Sequence, residues 1–162
     1  MNFKKIITGL ALSMLLSTGM AVAADFSKGL QAAQSGDFKT ALAVWTPLAE
    51  QGNAMAQFNL GHMYANGYGV PENDKTAVKW FTKAAEQGLA EGQFNLGAMY
   101  DFGDGVPEND KTAVKWYTLA SYNGSEVARE NKDAVAKQMT PADISAAQDM
   151  SSRCLESSYT DC

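Results

Sequence analysis

The chain contains few of the residues that most often carry out chemistry. Among its 162 residues are two cysteines, four prolines and one histidine, His62. A Ser-His-Asp triad or a Cys-His dyad would therefore have to use His62. No Gly-x-Ser-x-Gly or Ser-x-x-Lys motif accompanies it. We interpret His62 as an ordinary helix residue, and the sequence does not predict an enzyme.

The sequence lacks the residue spacings that are typical of metal-binding and nucleotide-binding sites. The acids Asp101, Asp104 and Glu108 do not follow the alternating positions of a calcium-binding loop. The Gly-x-Gly pairs that begin at Gly67 and Gly103 are not followed by the Lys-Ser/Thr of a phosphate-binding loop. The sequence therefore predicts no metal and no cofactor.

Basic residues are outnumbered along the chain. Lysine and arginine total 13 against 18 acids, which gives a formal net charge of -5. An acidic chain without a lysine or arginine cluster is a poor candidate for binding nucleic acid or anionic lipid. We expect neither as a partner.

Only the start of the chain has a long apolar stretch. A short basic segment, Met1–Lys5, precedes the largely apolar Ile6–Met20, and Ala21–Ala23 supplies a signal-peptidase pattern. The apolar stretch is shorter than the ~20 residues of a membrane-spanning helix. We expect a cleaved signal peptide over residues 1–23, a single domain over 24–162, no stable membrane insertion and a periplasmic or secreted location. An uncleaved N-terminal anchor is the alternative.

The two cysteines, Cys154 and Cys162, both lie in the last nine residues. An even number of cysteines in an exported chain indicates a disulfide. Because the closed loop is short, we expect this bond to contribute about 2 kcal/mol and to fix the C-terminal tail to the last helix.

Internal repetition is the dominant feature of the sequence. The segment Gly69–Trp80 recurs without change as Gly105–Trp116, 36 residues later, and Gln57–Gly61 returns as Gln93–Gly97. A fixed period of this length is typical of a solenoid in which each unit packs on the next. Apolar residues at steps of three and four predict that the units are helical.

The predicted units are pairs of helices. Repeats over residues 54–89 and 90–125 have helices at 54–66 and 74–87, and at 90–102 and 110–123, separated by glycine- and proline-containing loops. Residues 24–53 form a shorter, degenerate repeat. After Gly124 the pattern is lost, and Thr140–Asp143 is a strong helix start. Residues 126–162 are therefore predicted to be a C-terminal helical cap with a disulfide-held tail.

The repeated residues match a known pattern. Ala54-x-x-Gln57-Phe58-x-Leu60-Gly61-x-x-Tyr64, together with Ala84-Ala85-x-x-Gly88, closely resembles the Sel-one-like repeat (SLR) family of tetratricopeptide-like proteins. The resemblance implies an all-α, right-handed α-α solenoid. It also implies that the first helix of each pair lines a concave groove.

We predict the groove residues from the first helices. Phe58 and Phe94 occupy the same place in successive repeats, whereas neighbouring positions differ between repeats. A residue that is identical in successive repeats suits a packing role, and a residue that varies suits ligand recognition. Because the phenylalanines are identical but lie among varying positions, both roles remain open for them. The candidate groove residues are Met55, Phe58, His62, Asn66, Glu91, Phe94, Asp101 and Phe102.

The expected function is that of a monomeric, non-enzymatic adaptor that binds a peptide or protein segment in this groove. Glu91 and Asp101 favour a basic partner. One alternative is a cell-envelope enzyme, since some cysteine-rich relatives in the family have been linked to β-lactams; those proteins have a disulfide in every repeat, and this chain has none there. The other alternative is a structural or assembly protein that stacks through its N-terminal unit.

Overall fold

The computed structural model describes residues 25–162. The predicted signal peptide at residues 1–23 lies outside the described residues. Within the described part the chain forms eight α-helices and no strand. The helices are α1 (25–34), α2 (Phe38–Glu50), α3 (Ala54–Asn66), α4 (Asp74–Ala85), α5 (Ala90–Phe102), α6 (Asp110–Tyr122), α7 (Glu126–Ala136) and α8 (Pro141–Glu156).

The predicted first helices of the two repeats, α3 and α5, have the predicted bounds. Their second helices, α4 and α6, begin as predicted and end one or two residues early, at Ala85 and Tyr122. Each of these two begins at an asparagine cap: Asn73 and Asn109 accept hydrogen bonds from the backbone amides of Thr76 and Thr112, both at 2.9 Å. The identical loop sequences therefore produce identical helix starts.

Within each repeat, a glycine of the first helix lets an aromatic ring of the second helix approach closely. A Cβ atom at Gly61 would lie 2.6 Å from the Phe81 ring, and one at Gly97 would lie 2.8 Å from the Tyr117 ring. Gly29 meets the ring of Trp45 in the same way in the N-terminal unit. The glycine costs about 1 kcal/mol of helix propensity, and close packing of a large ring offsets that cost.

The hydrophobic core runs continuously from unit to unit. One buried cluster joins α1, α2 and α3, a second joins α4, α5 and α6 with Cys154 of α8, and a third joins α6, α7 and α8. Trp80 of α4 packs against the first cluster, and Phe94 of α5 packs against the third. Each pair of helices thus covers apolar surface that its neighbour exposes, and the fold is an all-α helical-repeat solenoid.

A buried glutamine links three successive helices in each repeat. Gln57 donates to the carbonyl oxygen of Ala49 at 2.9 Å and accepts from Gln87 at 2.6 Å. One repeat later, Gln93 donates to the carbonyl oxygen of Ala85 and accepts from Asn123. Because these side chains are 3% and 0% exposed, each hydrogen bond satisfies a buried polar group.

The C-terminal cap contains one helix, α7, that continues the register of the repeats, which the sequence pattern did not suggest. Ser125 caps α7 by accepting from the amide of Ala128, and it stands 36 residues after the cap position of α5. Ala128 is fully buried, as is Ala56 of α3. The helix α7 therefore packs on α6 as a further first helix, and α8 also packs on α6.

The tail after α8 is held against α6. Cys154 and Cys162 form the predicted disulfide, with their Cα atoms 4.6 Å apart. The Lys115 ammonium donates to the carbonyl oxygen of Cys162 at 2.7 Å and lies 4.0 Å from the centre of the Trp116 ring. Burial lowers the pKa of Lys115 to about 8, against a smaller opposing effect of Glu86.

Candidate functional site

Two hollows lie along the first helices. The central hollow has a volume of about 380 Å³ and opens between α3, α5 and the turn that leads into α7. The N-terminal hollow has a volume of about 290 Å³ and opens between α1 and α3. Both volumes lie near the lower end of the range typical of small-ligand pockets.

Aromatic rings form the apolar part of the central hollow. Phe58 and Phe94 are half-buried, and each packs on a ring of the second helix of its own repeat. The ring centres of Phe58 and Phe81 are 6.0 Å apart, and those of Phe94 and Tyr117 are 5.7 Å apart. The two phenylalanines are thus fixed by packing while part of each ring faces the hollow.

Polar and aliphatic groups complete the central hollow. Val127, at the start of α7, is 56% exposed and contributes an aliphatic surface. Glu91 and Asn95 line it from α5, and Asn95 donates to the backbone carbonyl of Glu91 at 2.8 Å. Asn123 lines the opposite edge. Its amide donates to Gln93 at 2.9 Å and to the Tyr159 hydroxyl at 2.7 Å.

The N-terminal hollow is also largely aromatic and aliphatic. His62 lines it together with Tyr68, and their ring centres are 5.8 Å apart. Tyr68 stacks on Phe38, with ring centres 4.7 Å apart and planes 8° from parallel. Leu30 is 43% exposed at its edge. His62 thus has aromatic neighbours on two sides, Tyr68 and Phe58, and its ring centre lies 6.4 Å from that of Phe58.

The structure brings half of the candidate groove residues into the two hollows. Phe58, Glu91 and Phe94 meet in the central hollow, and His62 lies in the N-terminal one. The remaining four line neither hollow: Met55, Asn66, Asp101 and Phe102. Among these, Met55 and Phe102 are exposed on the same helices, at 42% and 71%.

Asp101 has a partner within its own repeat. Its carboxylate accepts a hydrogen bond from the Tyr117 hydroxyl at 3.1 Å. Burial raises the pKa of Tyr117, and the nearby charge of Asp101 raises it further. Asp101 therefore positions the Tyr117 ring beneath Phe94, and Glu91 is the carboxylate that lines the central hollow.

Sequence reasoning missed the far side of the central hollow. That side comes from residues 123–125, in the turn between α6 and α7, and from Val127 at the start of α7. A signal was present: position 127 follows Met55 and Glu91 at steps of 36 residues. Because the apolar motif disappears after Gly124, the sequence did not show that the register continues into α7.

Two other features are absent from residues 25–162. No group of three or more His, Cys, Asp or Glu side chains there could hold a metal ion. In the same part of the chain, every helix is too short or too polar to cross a membrane.

Comparison with known proteins identifies the repeats. The model of the Sel1 repeat matches residues 54–89 and again 90–125. No curated protein shows significant similarity to the chain.

Solved structures share both the fold and part of the sequence. A protective antigen present in uropathogenic Escherichia coli strains, which displays an SLR fold, is 31% identical with a TM-score of 0.79 over 83% of this chain. A Sel1 repeat protein from Oxalobacter formigenes is 34% identical with a TM-score of 0.62 over 66% of this chain. This chain spans only 30% and 43% of those two proteins.

Sel1 repeats typically mediate protein–protein interactions. With two matched repeats, the glycine–aromatic packing in each unit and these structural neighbours, the chain belongs to the Sel1-like repeat family.

Proposed function

We propose that this protein is an adaptor that binds a peptide or protein segment along the wall formed by α3, α5 and the start of α7. The observation that carries the proposal is the central hollow, where the half-buried rings of Phe58 and Phe94 meet the exposed Val127. Rings already fixed by packing lose little conformational entropy when a ligand covers them. Such a hollow suits an apolar side chain of a bound segment.

A larger concavity beside α8, about 690 Å³ in volume, is a weaker candidate. Charged side chains from α6 and α8 dominate its lining, including Lys111, Asp149, Arg153 and Glu156. It has no aromatic ring to serve as an anchor. Aromatic anchors contribute most of the affinity in typical protein interfaces, and therefore the central hollow is favoured over this concavity.

The proposal includes where and in what form the protein acts. The basic start, apolar stretch and Ala-x-Ala pattern of residues 1–23 support export to the periplasm, or secretion, after cleavage. We propose an envelope-located protein or peptide as the partner, and a monomer as the binding form. Mass spectrometry of the mature protein from the periplasm would test cleavage after Ala23.

Selection from a random library of displayed 12-residue peptides tests the binding function. Enriched peptides would be synthesised with a fluorescent label, and their affinity measured by anisotropy against the mature protein and the variant Val127→Gln. This change makes the aliphatic edge of the hollow polar without changing net charge. We expect it to weaken binding about fivefold, because about 1 kcal/mol of apolar contact is lost.

The matched control is Tyr122→Gln, which replaces an apolar side chain that is 71% exposed and does not line the hollow. We expect its affinity to equal that of the wild type. Failure to enrich any peptide, or equal binding to Val127→Gln and wild type, would overturn the proposed function.

A further inference from the structure

We infer that the segment bound in the central hollow carries a lysine or arginine side chain, which lies between the Glu91 carboxylate and the rings of Phe58 and Phe94. This inference rests on the proposed function and specifies the chemistry of its partner. Four features of the hollow support it: the distribution of charge, the absence of an ion-pair partner for Glu91 among the described residues, the unused acceptor oxygens of the amides, and the aromatic rings.

Charge is segregated between the two helices of each repeat. The first helices α3 and α5 contain no lysine or arginine, and their only acids are Glu91 and Asp101. The second helices α4 and α6 carry five lysines, at positions 75, 79, 83, 111 and 115. A segment lying on α3 and α5 therefore meets carboxylates and no ammonium group, which favours a cationic ligand.

Glu91 is available to such a ligand. Its side chain is exposed and forms no ion pair with any residue of the described chain. The two basic residues in the adjoining helix α7 are both paired: Arg129 with Glu126 and Lys132 with Asp133. The Asp101 carboxylate is engaged by Tyr117. Glu91 is thus the free negative charge of this surface.

The amides around the hollow add hydrogen-bond acceptors. Asn123 uses both amide hydrogens, for Gln93 and for Tyr159, so its side-chain carbonyl oxygen remains as an acceptor. The Asn95 amide gives one of its two hydrogens to the Glu91 backbone, and its side-chain carbonyl oxygen is a further acceptor. A ligand that enters this hollow is recognised best by supplying N–H donors, as ammonium and guanidinium groups do.

The aromatic floor suits the same ligand. A lysine or arginine side chain has an apolar stem that can pack on the rings of Phe58 and Phe94. Its charged end is attracted to the face of an aromatic ring within about 6 Å. One basic side chain therefore satisfies the apolar floor, the carboxylate and the acceptors together.

The test uses the peptides enriched from the random library. We expect lysine or arginine at one fixed position of the enriched peptides, and we expect its replacement by glutamine to weaken binding about threefold to tenfold. In the protein, Glu91→Gln removes the negative charge and should lower the affinity for the original peptide about threefold. Glu91→Lys reverses the charge and should lower that affinity about tenfold. Once the peptide lysine is already glutamine, Glu91→Gln should have no further effect.

The matched control is Glu50→Lys, which changes net charge equally at an exposed site on α2. It should bind like the wild type. Suppose that Val127→Gln weakens peptide binding, but no basic residue is enriched and Glu91→Gln has no effect. That result would contradict the cationic partner and would leave the proposed binding in the central hollow intact. If Val127→Gln itself has no effect, the proposed function fails as well.

Discussion

Single residues decide how closely the helices of each unit pack. In all three units a glycine of the first helix faces an aromatic ring of the second: Gly29 faces Trp45, Gly61 faces Phe81 and Gly97 faces Tyr117. The ring differs while the glycine does not. The shared requirement is therefore space for a large ring. In the two Sel1 repeats that ring also packs on the phenylalanine that lines the central hollow.

Gly61→Ala tests this packing. The added methyl group would lie 2.6 Å from the Phe81 ring, so the ring must move. Overpacking of this kind costs about 1–3 kcal/mol, against a gain of about 1 kcal/mol in helix propensity. We expect a net loss of about 1 kcal/mol in the free energy of unfolding, measured by urea denaturation.

The double variant Gly61→Ala/Phe81→Leu provides the control. A smaller side chain at position 81 leaves room for the methyl group, so the cost of Gly61→Ala should fall in the Phe81→Leu background. An equal cost in both backgrounds would contradict the packing explanation.

The burial of Lys115 predicts a dependence of stability on pH. Its folded-state pKa of about 8 lies below the usual value, so between pH 8 and 10 the unfolded chain binds more protons than the folded protein. The free energy of unfolding should therefore rise with pH across this window, by about 1–2 kcal/mol. In Lys115→Met the rise should disappear, whereas an unchanged rise would contradict this account.

At the scale of elements, the position of each helix depends on polar links as well as on apolar packing. Gln57 and Gln93 each join the end of the preceding second helix to the end of the following one. The C-terminal tail performs a similar task without any repeat counterpart. It connects α8 to α6 through the disulfide and the Lys115 hydrogen bond.

Cys162→Ser tests the tail. The exposed Cys162 is replaced while the buried Cys154 stays in the core, so the change removes the link with little loss of packing. We expect the free energy of unfolding to fall by about 2 kcal/mol. Lys115 should also become accessible to an amine-acylating reagent, which peptide mass spectrometry would detect.

Lys79 occupies the same position in the preceding repeat and is exposed, so its acylation provides an internal reference. Its rate should be equal in the wild type and Cys162→Ser. Protection of Lys115 that persists after the substitution would show that the disulfide does not hold the tail.

The features that could be predicted from the sequence are those that the repeat period or the cysteine count reports. The bounds of α3 and α5 and the disulfide were predictable, because periodicity and cysteine count report them directly. The roles of Gln57 and Gln93 were not, since their hydrogen bonds join residues 8 and 30 positions apart.

The sequence predicted only part of the candidate site, because it shows the shared register of the first helices but not the side-chain packing. Phe58, Glu91 and Phe94 come from first helices that share one register, so the sequence placed them on one wall. Val127 and Asn123 join them only because α7 continues that register without the apolar motif. Asp101 was assigned to the wall, but its hydrogen bond to Tyr117 depends on side-chain packing that spacing does not report.

At the scale of the whole molecule, the solenoid presents two different surfaces. The first helices α3 and α5 offer aromatic rings, amides and a free carboxylate, whereas the second helices α4 and α6 carry lysines. The continuous core holds these surfaces in a fixed relation. A preorganised wall of this kind can bind a segment without first ordering itself.

The most direct test of this account is a titration of isotope-labelled protein with the strongest selected peptide, followed by amide NMR shifts. We predict that the largest shift changes fall around Phe58 and at residues 90–95 and 123–127, which contain the residues lining the central hollow. Largest changes on the lysine-bearing faces of α4 and α6, or along α8, would place the partner elsewhere and contradict the account.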